Sequence, residues 1–137
     1  MTRRRRQARG SRDRVAELEQ IYAELPEIEC QGLCSASCNA IVMSAAERQR
    51  IRERGVDIAP LDMPCPALSQ FNRCTVYDAR PLICRLYGLV EQMACPWGCR
   101  PQGGFVDDAT AHWMLRRVEK IGGKPDLRGH GPDPHAG

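Results

Sequence analysis

The sequence has few aromatic residues and no long apolar segment. Only seven of its 137 residues are Phe, Trp or Tyr, and a small domain that buries so little apolar surface often needs a disulfide or a metal to hold it together. No run of about 18 apolar residues is present, so no transmembrane helix is expected. No apolar segment follows the N-terminal arginines of MTRRRRQARGSRDR, as a secretory signal would require. The sequence therefore predicts a cytoplasmic protein.

The cysteine-rich part of the chain lacks histidine and also lacks the spacing of a zinc knuckle. All eight cysteines lie between Cys30 and Cys99, and successive cysteines are separated by 3, 3, 26, 8, 9, 10 and 3 residues. None of these gaps is the two-residue gap of a zinc knuckle. We expect His112 to lie on a helix and His130 and His135 to be solvated. Ligation by thiolates alone fits zinc and iron–sulfur clusters and argues against copper(II), nickel and facial-triad iron.

Cysteine is the residue type that the sequence has in excess. Whether these cysteines bind metal or form disulfides depends on the redox state of the compartment that contains the protein. In a reducing cytoplasm cysteine clusters more often bind metal, whereas an oxidising compartment would favour a disulfide framework, which we keep as the alternative. Two of the cysteines, Cys65 and Cys95, are each followed by proline, as is the last cysteine of the bacterial ferredoxin run. The candidate metal ligands are Cys30, Cys34, Cys38, Cys65, Cys74, Cys84, Cys95 and Cys99.

The first three cysteines stand four residues apart, which limits how they can share one centre. In a regular helix, Cys30 and Cys38 would lie about 12 Å apart along the axis. A single zinc ion with bonds of about 2.3 Å cannot span that distance. Either this segment is not a straight helix, or its cysteines serve more than one centre. The small and polar residues between the cysteines favour an irregular turn.

Apolar periodicity predicts a helix towards each end of the chain. The first should run over about residues 12–25, begin at Ser11 or Asp13 and end before Pro26. Its apolar stripe consists of Val15, Leu18, Ile21, Tyr22 and Leu25. The last helix should begin at Asp107 or Asp108 and end near Ile121, ahead of two glycines. Its expected apolar side consists of Trp113, Leu115, Val118 and Ile121.

The middle of the chain predicts two shorter helices. Ser44 and Glu47 form a capping-box pattern that predicts a helix over residues 45–54, stopped by Gly55. We expect its arginines to form a solvated face with Glu47 and Glu53 as partial partners; they are Arg48, Arg50, Arg52 and Arg54. Pro81 suits the start of a helix at 82–87, ended by Gly88. Residues 75–77 are a candidate for a short strand.

These elements predict a small, mainly α fold with irregular loops and little or no β structure. We expect residues 1–14 to be a disordered basic arm, 15–121 one domain stapled by its cysteines or by metal, and 122–137 a disordered Gly/Pro-rich tail. The arm carries seven arginines and one aspartate, while the whole chain has a net charge of +3. Residues 3–14 could neutralise nucleic-acid phosphates, but no interleaved aromatic offers base stacking. We therefore expect nucleic-acid contact to be secondary, and we expect no membrane contact.

The segment CTVYDARPLICR, residues 74–85, resembles the central block of the YkgJ-type cysteine-cluster proteins. That family, called a zinc- or iron-chelating domain, has the block Cys-x-Ile-Tyr-x-x-Arg-Pro-x-x-Cys-Arg, and the resemblance covers about residues 28–100. Cys65 with the following Pro-Ala-Leu resembles the element before the block. The first group departs from the family: it is CxxxCxxxC here, without the doubled cysteine of CxxCxxCC. Either Cys95 or Cys99 corresponds to the last family cysteine.

The resemblance also implies a cofactor. The same domain is similar to the cysteine-rich part of flagellin lysine methylases, which implies an iron–sulfur cluster, although we see no glycine motif for binding SAM. Arg80 and Arg85 flank Cys84 and are candidate cofactor-binding residues, since they could offset the negative charge of a thiolate-ligated centre and hydrogen-bond to sulfur. Alternatively, Arg80 pairs with Asp78 or closes a turn.

We therefore expect an intracellular cysteine-ligated metal-binding protein with a [4Fe–4S] cluster and a structural, redox or regulatory role. The alternative is a Zn²⁺-stapled module whose arginine arm binds nucleic acid or an acidic partner. A third hypothesis is an enzyme that uses the cluster, but no residue pattern marks a substrate pocket. An unknown protein partner is compatible with all three.

Overall fold

The computed structural model describes residues 3–29 and 41–130. Within these ranges it contains two 3₁₀ turns, Tyr77–Ala79 and Glu91–Met93, and four α-helices: α1 (Arg3–Ala23), α2 (Ala45–Arg52), α3 (Leu82–Leu86) and α4 (Asp108–Gly122). These ranges contain no strand, which confirms the prediction of a small, mainly α fold. Cys30, Cys34, Cys38 and His135 lie outside the described residues.

Helix α1 packs on α4 through the apolar stripe that the sequence predicts. Leu18 and Ile21 are fully buried and Tyr22 is nearly so, and all three pack in one cluster with Met114 and Val118 of α4. The helix begins at Arg3, not near residue 12, because arginine has a helix propensity close to that of alanine and needs no apolar contact to continue a helix. Helical backbone thus covers most of the expected arm, and the division into arm, domain and tail stays a prediction.

Helix α4 has the predicted ends but a different buried side. The Asp107 carboxylate accepts a hydrogen bond from the Thr110 N–H (2.7 Å), and Gly123 follows the last turn. The buried residues include Ala111, Met114 and Val118, whereas Trp113 is half exposed, so the prediction for Trp113 is wrong. Its ring is instead covered by the guanidinium of Arg117, 4.5 Å from the ring centroid.

Helix α2 has the predicted capping box, in which Ser44 and Glu47 exchange hydrogen bonds. Of its arginines, Arg52 and Arg54 are exposed as predicted, whereas the prediction of a solvated side chain is wrong for Arg48. The guanidinium of Arg48 is buried, donates two hydrogen bonds to the Asp57 carboxylate (2.8 and 3.0 Å) and donates to the carbonyls of Asp126 and Arg128. Part of the expected tail therefore packs against α2. The partner of Arg54 is Asp78, at 2.7 Å.

The described residues form two apolar clusters, and α2 connects them. One cluster lies between α1, α3 and α4. The second surrounds the loops that carry Cys65 and Cys74, and its buried members are Met43, Ile51, Ile58, Cys65, Ala67, Val76 and Ala79. The predicted strand at residues 75–77 is absent, because the backbone makes a single antiparallel bridge at Cys74 and then turns into the first 3₁₀ segment.

Candidate metal centre

Cys65 and Cys74 lie at the two ends of one closed loop. An antiparallel bridge pairs Leu68 with Cys74, and both the N–H and the hydroxyl of Thr75 donate to the carbonyl of Ala67, at 2.8 and 2.6 Å. Cys65 is buried, Cys74 is partly buried, and both belong to the second apolar cluster. The two thiols are close enough that the charge of Cys74 acts on the pKa of Cys65.

The turn after Cys65 directs backbone N–H groups at the sulfur. Burial raises the pKa of the Cys65 thiol, while hydrogen bonds from the N–H groups of Ala67 and Leu68 lower it. Pro66 has no N–H of its own, so the first donors after the cysteine are those of the next two residues. These N–H groups therefore offset part of the free-energy cost of burying the Cys65 thiolate.

The turn Cys95-Pro-Trp-Gly-Cys99 repeats this arrangement in a more exposed setting. The N–H of Trp97 donates to the sulfur of Cys95 and lowers its pKa, and the backbone and side chain of Cys99 act in the same direction. Gly98 has φ +87° and donates its N–H to the carbonyl of Cys95 at 3.1 Å. A side chain at this left-handed position would be strained. Arg100 donates to the Cys99 carbonyl at 2.9 Å.

The described residues on either side of the first cysteine group contact different parts of the domain. Ile28 pairs with Pro101 in an antiparallel bridge, and the N–H of Gln102 donates to the carbonyl of Glu27 at 2.8 Å. The chain therefore leaves the described residues next to the Cys95–Cys99 turn. It returns at Ile41, which packs on the cluster that contains Cys65.

Helix α3 carries Cys84 and is held by a buried carboxylate of α2. The N–H of Leu82, the first residue of α3, donates to Glu47 at 2.7 Å. The same carboxylate accepts hydrogen bonds from the Tyr22 hydroxyl at 2.6 Å and from the Ser44 hydroxyl at 2.8 Å. The capping-box pattern indicated the Ser44 contact, but no sequence signal linked Glu47 to α1 and α3.

Arg80 and Arg85 close the turn that precedes α3. Arg85 donates to the carbonyls of Arg80 (2.7 Å) and Asp78 (2.9 Å), and its guanidinium lies 4.1 Å from the Tyr22 ring centroid. Arg80 donates to the carbonyl of Tyr77 and stacks on that ring at 3.8 Å. Burial lowers the pKa of Arg85, as does the charge of Arg80. These contacts agree with turn closure, and the cofactor-binding role of both arginines stays a prediction.

Among the five cysteines in the described ranges, Cys65 lies near Cys74 and Cys95 lies near Cys99, while Cys84 lies on α3. Within residues 3–29 and 41–130, no three His, Cys, Asp or Glu side chains are arranged to hold a metal ion. His112 is exposed. His130 is not simply solvated as expected, since its ring nitrogens lie 2.6 Å from Asp62 and 3.2 Å from Asp57. Thiol pairs with N–H donors already directed at sulfur fit the donor set of a thiolate-ligated metal or cluster.

No helix in the described part of the chain is both long and apolar enough to cross a membrane.

A family model matches residues 29–101, and its description reads "CxxCxxCC: Putative zinc- or iron-chelating domain". This range contains all eight cysteines. No curated protein and no solved structure matches the chain.

Proposed function

The chain belongs to the CxxCxxCC family of zinc- or iron-chelating domains and binds metal through cysteine, and from that premise we propose that it holds iron in a [4Fe–4S] cluster. The cluster has a structural, redox or regulatory role in the cytoplasm, where its thiolates stay reduced. When bound, such a cluster supplies one-electron transfer or a rigid crosslink between distant parts of the chain.

The observation that carries this proposal is the pair of Cys-Pro turns. In each turn the N–H three residues after the cysteine, from Leu68 or Gly98, donates to the cysteine carbonyl, at 3.0 and 3.1 Å. The backbone N–H two residues after the cysteine lowers the pKa of its thiol in both turns. The shared turn therefore favours the thiolate, which is the ligand form, at Cys95, and at Cys65 it offsets part of the effect of burial, which raises the pKa of that thiol. Hydrogen bonds to sulfur are also one of the means by which proteins set the potential of an iron–sulfur cluster.

All eight cysteines are candidate ligands. Each described pair needs further thiolates to complete a four-ligand centre, and Cys84 with the first cysteine group supplies the remaining ones. Ile28, on one side of that group, is bridged to Pro101, and Ile41, on the other side, packs on the cluster that contains Cys65. We propose that the three cysteines between them complete either pair. One cluster uses four of the eight, and the others form a second site or remain thiols.

Zinc is the alternative metal, and metal and sulfide analysis of the purified protein distinguishes it from an iron–sulfur cluster. The protein, purified without oxygen, should be brown, absorb broadly in the visible and contain iron with acid-labile sulfide. Colourless protein with stoichiometric zinc and no iron would reject the cluster and leave a zinc-stapled domain. As a control, the same apoprotein is reconstituted once with iron and sulfide and once with zinc, and thermal unfolding is measured for both samples. Only the native centre should restore a cooperative thermal transition.

A further inference from the structure

The first half of α1 is helical without an apolar stripe to pack it on the domain. Among the side chains of α1 that the structure describes, the first fully buried one is Leu18, and Arg12, Asp13 and Arg14 are exposed. A side chain added at Gly10 would meet nothing within 4 Å. Residues 3–14 contain no apolar residue larger than alanine, so apolar packing does not explain why this segment is helical.

The charges of this segment oppose its own helix. The first turn of α1 contains no acidic residue, although the N-terminal end of a helix favours negative charge and repels positive charge. Residues 3–14 carry seven arginines, and the one carboxylate among them is that of Asp13. Arginines spaced three or four residues apart also repel one another. A polyanion that neutralised these charges would stabilise the helix.

The distribution of the arginines around the helix indicates the shape of that polyanion. With 3.6 residues per turn, positions 3, 4, 5, 6, 9, 12 and 14 fall on every side of α1, so the segment has no neutral or apolar face. Insertion into a membrane surface requires an apolar face, and an acidic protein surface would contact one side only. A groove with anionic walls on both sides would contact more of these positions than a single surface would.

We propose that the arginine segment, residues 3–14 of α1, binds in the major groove of duplex DNA and contacts the phosphates of both walls. This groove is about 12 Å wide and admits an α-helix, whereas the major groove of duplex RNA is deep and narrow. The guanidinium group pairs bidentately with phosphate. The segment lacks a specific base-reading pattern, so the binding is directed at the backbone and is independent of the metal centre.

Two substitutions at one position test whether the helix is the bound form without changing charge. Gly10→Ala should tighten binding to a 24-base-pair duplex by up to about fivefold, since alanine favours a helix over glycine. Gly10→Pro breaks the helix and should weaken binding to the same duplex. The readout is fluorescence anisotropy with the full-length, metal-loaded protein. Equal affinities of the two variants would overturn the proposal.

Salt dependence tests the phosphate contacts. Each phosphate neutralised contributes about −0.9 to the slope of log K against log salt. Changing Arg3, Arg4, Arg5 and Arg6 to Gln should therefore reduce the slope by up to about 3.6. The matched control removes four exposed charges from the domain, at Arg73, Arg116, Lys120 and Lys124, and should leave most of the slope. An unchanged slope in the arm variant, or tighter binding to duplex RNA, heparin or phosphatidylserine vesicles than to duplex DNA, would overturn the proposal.

Discussion

At the scale of single residues, the most informative side chain is the buried carboxylate of Glu47. It accepts hydrogen bonds from Tyr22 of α1, from Ser44 at the start of α2 and from Leu82 at the start of α3. Burial, together with the charge of Glu47, raises the pKa of Tyr22, so the phenol remains a donor at neutral pH. Glu47 therefore positions the helix that carries Cys84.

Replacing Glu47 by Gln should destabilise the fold markedly. The amide nitrogen would face hydrogen-bond donors and leave at least one buried donor unsatisfied, and the loss of a charged acceptor adds to this cost. We expect the free energy of unfolding to fall by about 2–4 kcal/mol in a urea titration. Glu53→Gln, at the exposed end of α2, is the control and should change it by less than about 0.5 kcal/mol. Equal effects of the two substitutions would contradict the role of Glu47.

The ion pair between Arg48 and Asp57 should make stability depend on pH in the acid range. The hydrogen bonds from Arg48 hold the pKa of Asp57 well below its usual range, and Arg52 acts in the same direction. A carboxylate whose pKa is lower in the folded than in the unfolded state contributes stability above its unfolded pKa of about 3.9 and loses it as pH falls towards its folded pKa.

Stability measured by urea titration should therefore decline below about pH 4. Asp57→Asn should remove part of that decline while lowering stability at pH 7, because Arg48 loses its charged partner. Identical pH profiles for the wild-type protein and Asp57→Asn would show that this pair does not produce the effect.

At the scale of the elements, local signals account for the start of α2 and for both ends of α4, but not for the start of α1 at Arg3 or for the packing of the charged residues. The capping box of α2, the Asp107 cap of α4 and the stripe of α1 follow from short-range chemistry, so sequence patterns predict them. The buried position of Arg48 depends on Asp57 and on the carbonyls of Asp126 and Arg128, which are distant in sequence. For the same reason, the exposure of Trp113 could not be predicted.

The Cys95–Cys99 turn can be tested through its left-handed glycine. Gly98→Ala meets no neighbouring atom within 4 Å, so its effect comes from the positive φ alone, about 1–2 kcal/mol. We expect this strain to displace the N–H donors from Cys95 and to speed metal loss to a chelator. Gly103 has the same kind of conformation (φ +79°) and the same open surroundings. Gly103→Ala is therefore the matched control, and comparable rates in both variants would contradict the prediction.

At the scale of the whole molecule, the described residues form a helical layer and a layer of cysteine-bearing loops. α1, α3 and α4 share one apolar cluster, whereas the loops with Cys65 and Cys74 pack around the other. Sequence spacing indicated that thiolates would converge, but it did not reveal that Cys65 lies near Cys74 and Cys95 near Cys99. The first pair depends on the hydrogen bond between Thr75 and Ala67 that closes the loop, and the second on the turn in which Gly98 donates to the Cys95 carbonyl. A shared metal centre would connect these loops.

Metal binding should accordingly be coupled to folding. For structural zinc sites the binding free energy is on the order of 10 kcal/mol or more, comparable with the typical stability of a whole domain, about 5–15 kcal/mol. The loop layer has few large apolar residues of its own, so we expect the domain to depend on its metal.

The measurement that tests the central claim most directly is the metal content and thermal unfolding of anaerobically purified Cys84→Ser. The wild-type protein and a control variant, Gln70→Ala, are measured beside it; Gln70 is an exposed residue of the Cys65–Cys74 loop. We predict that the wild-type protein and Gln70→Ala contain iron and sulfide and unfold cooperatively. Cys84→Ser should lose its metal and its cooperative transition. Full metal content with an unchanged transition in Cys84→Ser would show that Cys84 is not a ligand and would contradict the account in which Cys84 completes the cysteine centre.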